Sequence, residues 1–134
     1  MIQPSSKIYI SKSLIPNAGR GVFASTVIKK NEVIELCPII IVPHSEIRFL
    51  QQTLLINYYF EWGYDLAICF GYGALYNHSY SPNALYKKHL DHAYIEFIAY
   101  ENISKDEEII VNYNHGNPDD KSTLWMKDVP VFKE

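Results

Sequence analysis

Residues 77–83 have the sequence Asn-His-Ser-Tyr-Ser-Pro-Asn, a run of polar side chains that lies between two apolar segments. Polar groups in such surroundings need hydrogen-bond partners when they are buried. The adjacent Asn77 and His78 can offer an amide, an imidazole and their main chain to a heterocyclic ligand. The alternative is a plain polar turn that is closed by Ser81-Pro82-Asn83.

A second feature precedes a predicted strand, where Gly19 and Gly21 flank Arg20 in the segment Asn-Ala-Gly-Arg-Gly-Val-Phe at residues 17–23. Because glycine has no Cβ, this spacing allows a ligand to approach the backbone closely. Gly-x-Gly is also common turn chemistry, so a turn without a ligand is the alternative.

The third feature is the acidic run Asp106-Glu107-Glu108, which leads into a strand that ends at Tyr113. The three carboxylates most simply form a solvated turn, although they can also attract a basic substrate. A tyrosine in a strand usually packs against the core, so Tyr113 alone does not indicate catalysis.

Taken in order, Gly-Arg-Gly-Val-Phe (19–23), Asn-His-Ser-x-x-Pro-Asn (77–83) and Glu-Glu-Ile-x-Val-x-Tyr (107–113) resemble the SET domain of protein lysine methyltransferases. The compact length resembles the small viral and bacterial members, which lack flanking zinc-binding modules. This resemblance implies a mainly β fold of several small sheets, with short helices and a pseudoknot near the C-terminus. Residues 7–114 then form the SET domain, residues 1–6 an N-terminal tail, and residues 115–134 a segment that closes the active site.

The resemblance also implies S-adenosylmethionine as the cofactor and no metal. Tyr113 matches the tyrosine at the methyl-transfer site, and Tyr58 matches a second tyrosine of the lysine channel; both are predicted to be catalytic. The predicted cofactor-binding positions are Gly19, Arg20, Gly21, Val22, Asn77, His78 and Tyr113.

The implied activity is the transfer of a methyl group to a lysine amine of a protein substrate, such as a histone tail. The alternative is a SET-like module that binds a peptide or the cofactor without efficient transfer. The retained Tyr58, Asn77, His78 and Tyr113 favour the enzyme. Some compact members pair, so homodimerisation stays open.

Three departures from the family pattern concern the turn before Glu32 and the predicted site. Asn31 replaces a frequent glycine, but asparagine tolerates the left-handed conformation that such a turn requires. Asn114 replaces a frequent glycine after the tyrosine, a change that can alter the channel exit. Val111 occupies a position where a Phe or Tyr often influences how many methyl groups are added, so that number stays open. Trp125 is predicted either to cover the site or to anchor the tail on the core.

The local pattern predicts short strands and little helix. Ser45 is expected to cap a short helix that runs to Gln51, and Asp119 or Asp120 to cap another near Trp125. β-Branched and aromatic content predicts strands at residues 7–11, 21–24, 33–42, 54–60, 66–70, 84–88, 94–100 and 109–113.

Composition limits the class of protein. A chain of 134 residues with 48% hydrophobic residues suits one domain. Its formal charge of −3 provides no general basic surface for nucleic acid. Cys37 and Cys69 are expected to be reduced intracellular thiols, and His89 and His92 to belong to a polar hairpin turn instead of a metal site. The longest apolar run is too short to span a bilayer, so a soluble protein is expected.

Overall fold

The computed structural model describes residues 1–124, and most of their regular structure is β-sheet. One sheet has four strands in the order β1, β2, β9, β6. Its strands are β1 (Ile8–Lys12), β2 (Arg20–Ala24), β6 (Asn77–His78) and β9 (Glu108–Val111). The sheet therefore brings together strands from the beginning, the middle and the end of the described chain.

A second sheet has five strands in the order β4, β5, β3, β8, β7, and each neighbouring pair is antiparallel. Its strands are β3 (Val33–Val42), β4 (Phe60–Trp62), β5 (Asp65–Cys69), β7 (Ala84–His89) and β8 (Tyr94–Ala99). The prediction of a mainly β fold with several small sheets is confirmed.

The core lies where the side chains of both sheets meet, and β8 shows how the sequence fills it. Ile95, Phe97 and Ala99 alternate along this strand and are completely or almost completely buried, while the residues between them are half-buried. Successive side chains of a strand point to opposite faces, so β8 is covered on both of its faces. The Phe97 ring stacks on Tyr76, with centroids 4.3 Å apart, and joins the core to the segment before β6.

The short strand β6 runs parallel to β9, with Asn77 opposite Ile110 and His78 opposite Val111. Asn83 holds this region together, since its amide donates to the Glu108 carbonyl and its oxygen accepts from the Ile110 N–H. Residues 77–83 are thereby joined to the last strand of the sheet, which is the juxtaposition that the predicted pseudoknot requires.

The predicted strand at residues 54–60 is wrong for most of its length. Leu54–Asn57 form a 3-10 helix, and β4 begins only at Phe60. The Thr53 hydroxyl accepts a hydrogen bond from the Leu55 N–H, which starts a helical turn. Leu54 is 70% exposed, so its apolar character does not mark a buried strand.

The predicted helix before Gln51 is present, but Ser45 does not cap it. His44–Glu46 form a 3-10 helix, α1 comprises Ile47–Leu50, and no side chain caps either element. Pro43 precedes the first turn with a φ of −64°, so its ring sets the entry of the chain.

The predicted helix after Asp119 or Asp120 is absent from residues 115–124, which form turns and irregular structure. The Asp120 carboxylate instead accepts from the Ser122 N–H two residues ahead, a local bond that competes with helix formation. Trp125, for which a covering or anchoring role was predicted, lies outside the described residues.

Several smaller predictions concern turns and reactive side chains. Asn31 has a φ of +72°, so asparagine does adopt the left-handed conformation expected there. Cys37 and Cys69 are free and buried. His89 and His92 lie at the β7–β8 hairpin, where the His89 ring stacks on Tyr94.

Membrane-spanning helices and metal-ion clusters are both absent from residues 1–124. No helix in this range combines the length and the apolar character that crossing a bilayer requires. The same residues contain no cluster of histidine, cysteine, aspartate or glutamate suited to a metal ion.

Candidate active site

The Gly-x-Gly turn leads directly into β2 and is packed tightly against β9. Gly19 has a φ of +73°, a conformation that glycine adopts without steric cost. A Cβ atom on Gly21 would lie 2.3 Å from Glu108 Oε2, so a larger residue does not fit. The Asn77 amide donates to the Arg20 carbonyl over 2.9 Å and thus ties this turn to β6.

Glu108 is a structural residue that the sequence analysis missed, since the acidic run was expected to be solvated. Its side chain is buried and accepts hydrogen bonds from the Ser13 hydroxyl, the Leu14 N–H and the Asn77 amide. A buried carboxylate is stable only with such partners. Its position directly before the apolar Ile109 is the one signal in the sequence that distinguishes it from the exposed Asp106.

His78 lies between the turn and the end of β9. Its Nδ1 accepts a hydrogen bond of 3.0 Å from the Tyr113 N–H, which leaves the imidazole proton on Nε2 when the ring is neutral. Nε2 is buried and has no hydrogen-bond partner among the described residues. Burial lowers the pKa of His78 to about 4, so the ring is neutral at physiological pH.

Tyr113 follows β9 and contacts Tyr76 and His78, the two residues on either side of Asn77. Its hydroxyl donates a hydrogen bond of 2.6 Å to the Tyr76 carbonyl, and its ring lies 5.1 Å from the His78 ring. Burial raises the pKa of its phenol, so the hydroxyl keeps its proton at neutral pH.

Tyr58 and Tyr113 line the same cavity, which is walled largely by aromatic side chains. The other aromatic residues are Tyr59, Phe60, Tyr76 and Tyr86. The wall also contains an acidic residue, a lysine and a histidine: Glu61, Lys88 and His115. Sequence reasoning did not identify these three, because they are distant from the recognised motifs. The cavity therefore combines aromatic walls with polar and ionisable groups at a few places.

The structure thus distributes the predicted site residues over two adjoining regions. The first contains Gly19 to Val22 with Asn77 and His78, and the second is the cavity with Tyr58; Tyr113 belongs to both. Val22 is completely buried, whereas Arg20 is exposed.

The start of the C-terminal segment lies against the end of β9. The Asn112 amide donates to the Asp120 carbonyl, and the Asn114 amide donates to the Ser122 carbonyl over 2.7 Å. The Tyr80 hydroxyl also donates to the Ser122 carbonyl. Residues 120–122 are therefore attached to the neighbourhood of His78 and Tyr113.

Comparisons with known proteins identify the family of the chain. The family described as SET domain matches residues 19–114. The chain is 30% identical over 112 residues to a histone-lysine N-methyltransferase of Schizosaccharomyces pombe that is specific for lysine 37 of H3; the match covers 82% of this chain and 71% of that protein. This chain belongs to the SET domain family.

Solved structures of SET domain proteins show the same fold. A crystal structure of a Plasmodium falciparum protein, named there as a candidate histone methyltransferase, is 39% identical with a TM-score of 0.66. It matches 85% of this chain and 96% of that one. A Chaetomium thermophilum Polycomb Repressive Complex 2 bound to S-adenosylmethionine has a TM-score of 0.66 at 22% identity, which concerns the fold alone. The match covers 87% of this SET domain chain and 16% of that chain.

Membership of the SET domain family and the similarity to the Schizosaccharomyces pombe enzyme support one activity. The chain is a protein-lysine methyltransferase, and its methyl donor is S-adenosylmethionine. The family match from residue 19 to residue 114 lies within the range predicted for the SET domain, and β1 extends the same sheet on its N-terminal side.

Proposed function

We propose that this SET domain methylates a lysine of a histone, and that Tyr58 and Tyr113 line the channel which the lysine enters. The observation that carries this proposal is the position of Tyr113. Its phenol lines the aromatic cavity, while its main chain is bonded to His78 in the other region. A residue that belongs to both regions lies where a donor on one side and an acceptor on the other would meet.

The proposed cofactor site comprises Gly19, Arg20, Gly21, Val22, Asn77, His78 and Tyr113. Two observations fit a cofactor there. His78 Nε2 carries a buried N–H without an acceptor among residues 1–124, and a ligand heteroatom would satisfy it. The exposed Arg20 offers a cation that suits a carboxylate, and Gly19 keeps the adjacent main chain accessible.

When S-adenosylmethionine is bound, it supplies an electrophilic methyl group on a sulfonium. The residues of the chain then have to align the lysine amine and to keep it neutral. Alignment removes the entropy cost of a bimolecular encounter, an effect worth up to about 7–11 kcal/mol. An aromatic cavity lined by Tyr58 and Tyr113 disfavours the ammonium form, whose pKa in water is roughly 10.4. No side-chain base is required in this scheme.

Relatives support a histone as the substrate class, since both the Schizosaccharomyces pombe protein and the Plasmodium falciparum protein carry histone methyltransferase names. The net charge of −3 favours association with a basic histone tail. Methyl transfer to purified histones and to cell lysate, measured with radiolabelled S-adenosylmethionine and followed by mass spectrometry of the labelled lysine, tests this directly. Label on other lysate proteins and none on histones would contradict the histone assignment while the transferase activity remained.

A further inference from the structure

Among the described residues, Lys88 supplies the only amine that lines the cavity of Tyr58 and Tyr113. This side chain extends from β7 and is half-buried. Its neighbour Lys87 is exposed, because successive residues of a strand point to opposite faces. The chain therefore places one of two adjacent lysines in the space proposed for the substrate lysine.

The Lys88 amine has a proton acceptor beside it. Its Nζ lies 3.3 Å from His115 Nδ1, and His115 Nε2 lies 3.6 Å from a Glu61 carboxylate oxygen. His115 is 65% exposed at its side chain, so this row of groups leads from the cavity to solvent. A methyl acceptor must lose one proton before it reacts, and these contacts supply a route for it.

The surroundings of Lys88 also favour the neutral amine. Burial lowers the pKa of Lys88, and this effect exceeds the opposing influence of the Glu61 charge. The Lys88 nitrogen therefore resembles the desolvated substrate amine that the proposed mechanism requires.

Lys88 lines the same cavity as Tyr113, and its strand also contacts Tyr113 directly. Tyr86, two residues earlier on the same face of β7, approaches the Tyr113 carbonyl with its hydroxyl at 3.5 Å. The strand that carries Lys88 is therefore in contact with the residue at which transfer is proposed.

From these contacts we propose that Lys88 is an internal methyl acceptor, which the chain methylates in cis and which competes with the substrate lysine for the cavity. The inference rests on the proposed function of that cavity. In the reaction, the neutral Lys88 nitrogen forms a new bond to the methyl carbon as the bond from that carbon to sulfur breaks. The electron pair of the broken bond stays on sulfur, the nitrogen takes up the positive charge, and the thioether product S-adenosylhomocysteine leaves. The proton released beforehand passes to His115 or to water.

The test uses the full chain with S-adenosylmethionine that carries an isotopically labelled methyl group, followed by peptide mapping. We expect label on Lys88, no label on Lys87, and loss of the Lys88 label in the Tyr113→Phe variant. The labelled fraction should grow at a rate that does not depend on protein concentration, because transfer within one chain is first order. The Lys88→Arg variant should carry no label at this position, whereas Lys87→Arg, the matched control, should be labelled like the parent chain.

The outcomes separate this inference from the proposed function. Methylated histone with an unlabelled Lys88 would overturn the inference alone. A Lys88 label that grows in proportion to protein concentration, or that persists in Tyr113→Phe, would overturn the assignment of transfer in cis through this cavity. Absence of transfer to both histone and Lys88 would overturn the proposed function together with it.

Discussion

The main-chain N–H of Tyr113 donates a hydrogen bond to Nδ1 of His78 over 3.0 Å, although 35 residues separate the two in the chain. This bond determines which nitrogen of the neutral imidazole carries the proton and orients the ring. It also places the backbone of Tyr113 relative to Asn77 and β6. The geometry on one side of the site is therefore coupled to the geometry on the other side.

Replacing Tyr113 by phenylalanine is expected to slow methyl transfer by about 100-fold, since misplacement of reacting groups has effects of this order. The ring remains and the backbone bond to His78 is unaffected, so cofactor affinity should change little. Single-turnover transfer of a radiolabelled methyl group measures the first effect, and calorimetry with S-adenosylmethionine measures the second. Tyr64→Phe serves as the control, because Tyr64 is 92% exposed. A near-normal single-turnover rate in Tyr113→Phe would refute the catalytic assignment.

Replacing Glu108 by alanine should lower the free energy of unfolding by about 3 kcal/mol or more. The substitution leaves the Ser13 hydroxyl, the Leu14 N–H and the Asn77 amide without their buried acceptor, and each unsatisfied group costs about 1–3 kcal/mol. Urea denaturation followed by tryptophan fluorescence gives the value. Glu101→Ala, at an exposed position, should stay within about 0.5 kcal/mol of the parent chain. Equal stability of the two variants would show that Glu108 does not hold the turn to β9.

Replacing Gly21 by alanine should destabilise the chain by about 1–3 kcal/mol, the usual range for overpacking. The new Cβ would meet Glu108 Oε2 at 2.3 Å and Asn77 Nδ2 at 3.0 Å. The carboxylate cannot move aside without loss of its own hydrogen bonds. Gly63→Ala is the matched control, since no atom lies within 4 Å of its Cβ position and only the cost of its positive φ remains, about 1 kcal/mol. Thermal melts of the two variants, with cofactor titrations of each, separate lost stability from lost binding.

Acidification should destabilise the folded chain through His78. The pKa of this imidazole is about 4 in the folded state because of burial, against roughly 6.5 when it is unfolded and solvated. The unfolded state then binds a proton first, so the contribution is fully present above pH 6.5 and is lost as the pH falls toward 4. The difference between the urea midpoints at neutral and at acidic pH should be smaller in His78→Asn than in the control His92→Asn, whose substituted residue is exposed. An NMR titration that returns an ordinary pKa for His78 would contradict this.

Local sequence patterns predicted much of the fold because they depend on neighbouring residues. β-Branched and aromatic content predicted a strand at residues 94–100, and Asn31 suited a left-handed turn; both features are present. Strand propensity gave the wrong prediction for most of residues 54–60. The Thr53 side chain caps a 3-10 helix there, and the exposed Leu54 does not pack as a buried strand residue would. Strand propensity is a weak guide wherever a helix cap or the absence of a partner strand determines the local structure.

The amino-acid sequence by itself determined the identity of the motifs, including the order of Gly-x-Gly, Asn-His and Tyr113 along the chain, because residue types and spacing are local properties. Only the tertiary structure decided that Glu108 is buried, that Lys88 lines the cavity, and that His78 bonds to the Tyr113 backbone. These contacts join residues far apart in the chain through strand order and register. Burial and hydrogen bonding of a side chain depend on which distant segments surround it, and that information is set by packing of the whole domain.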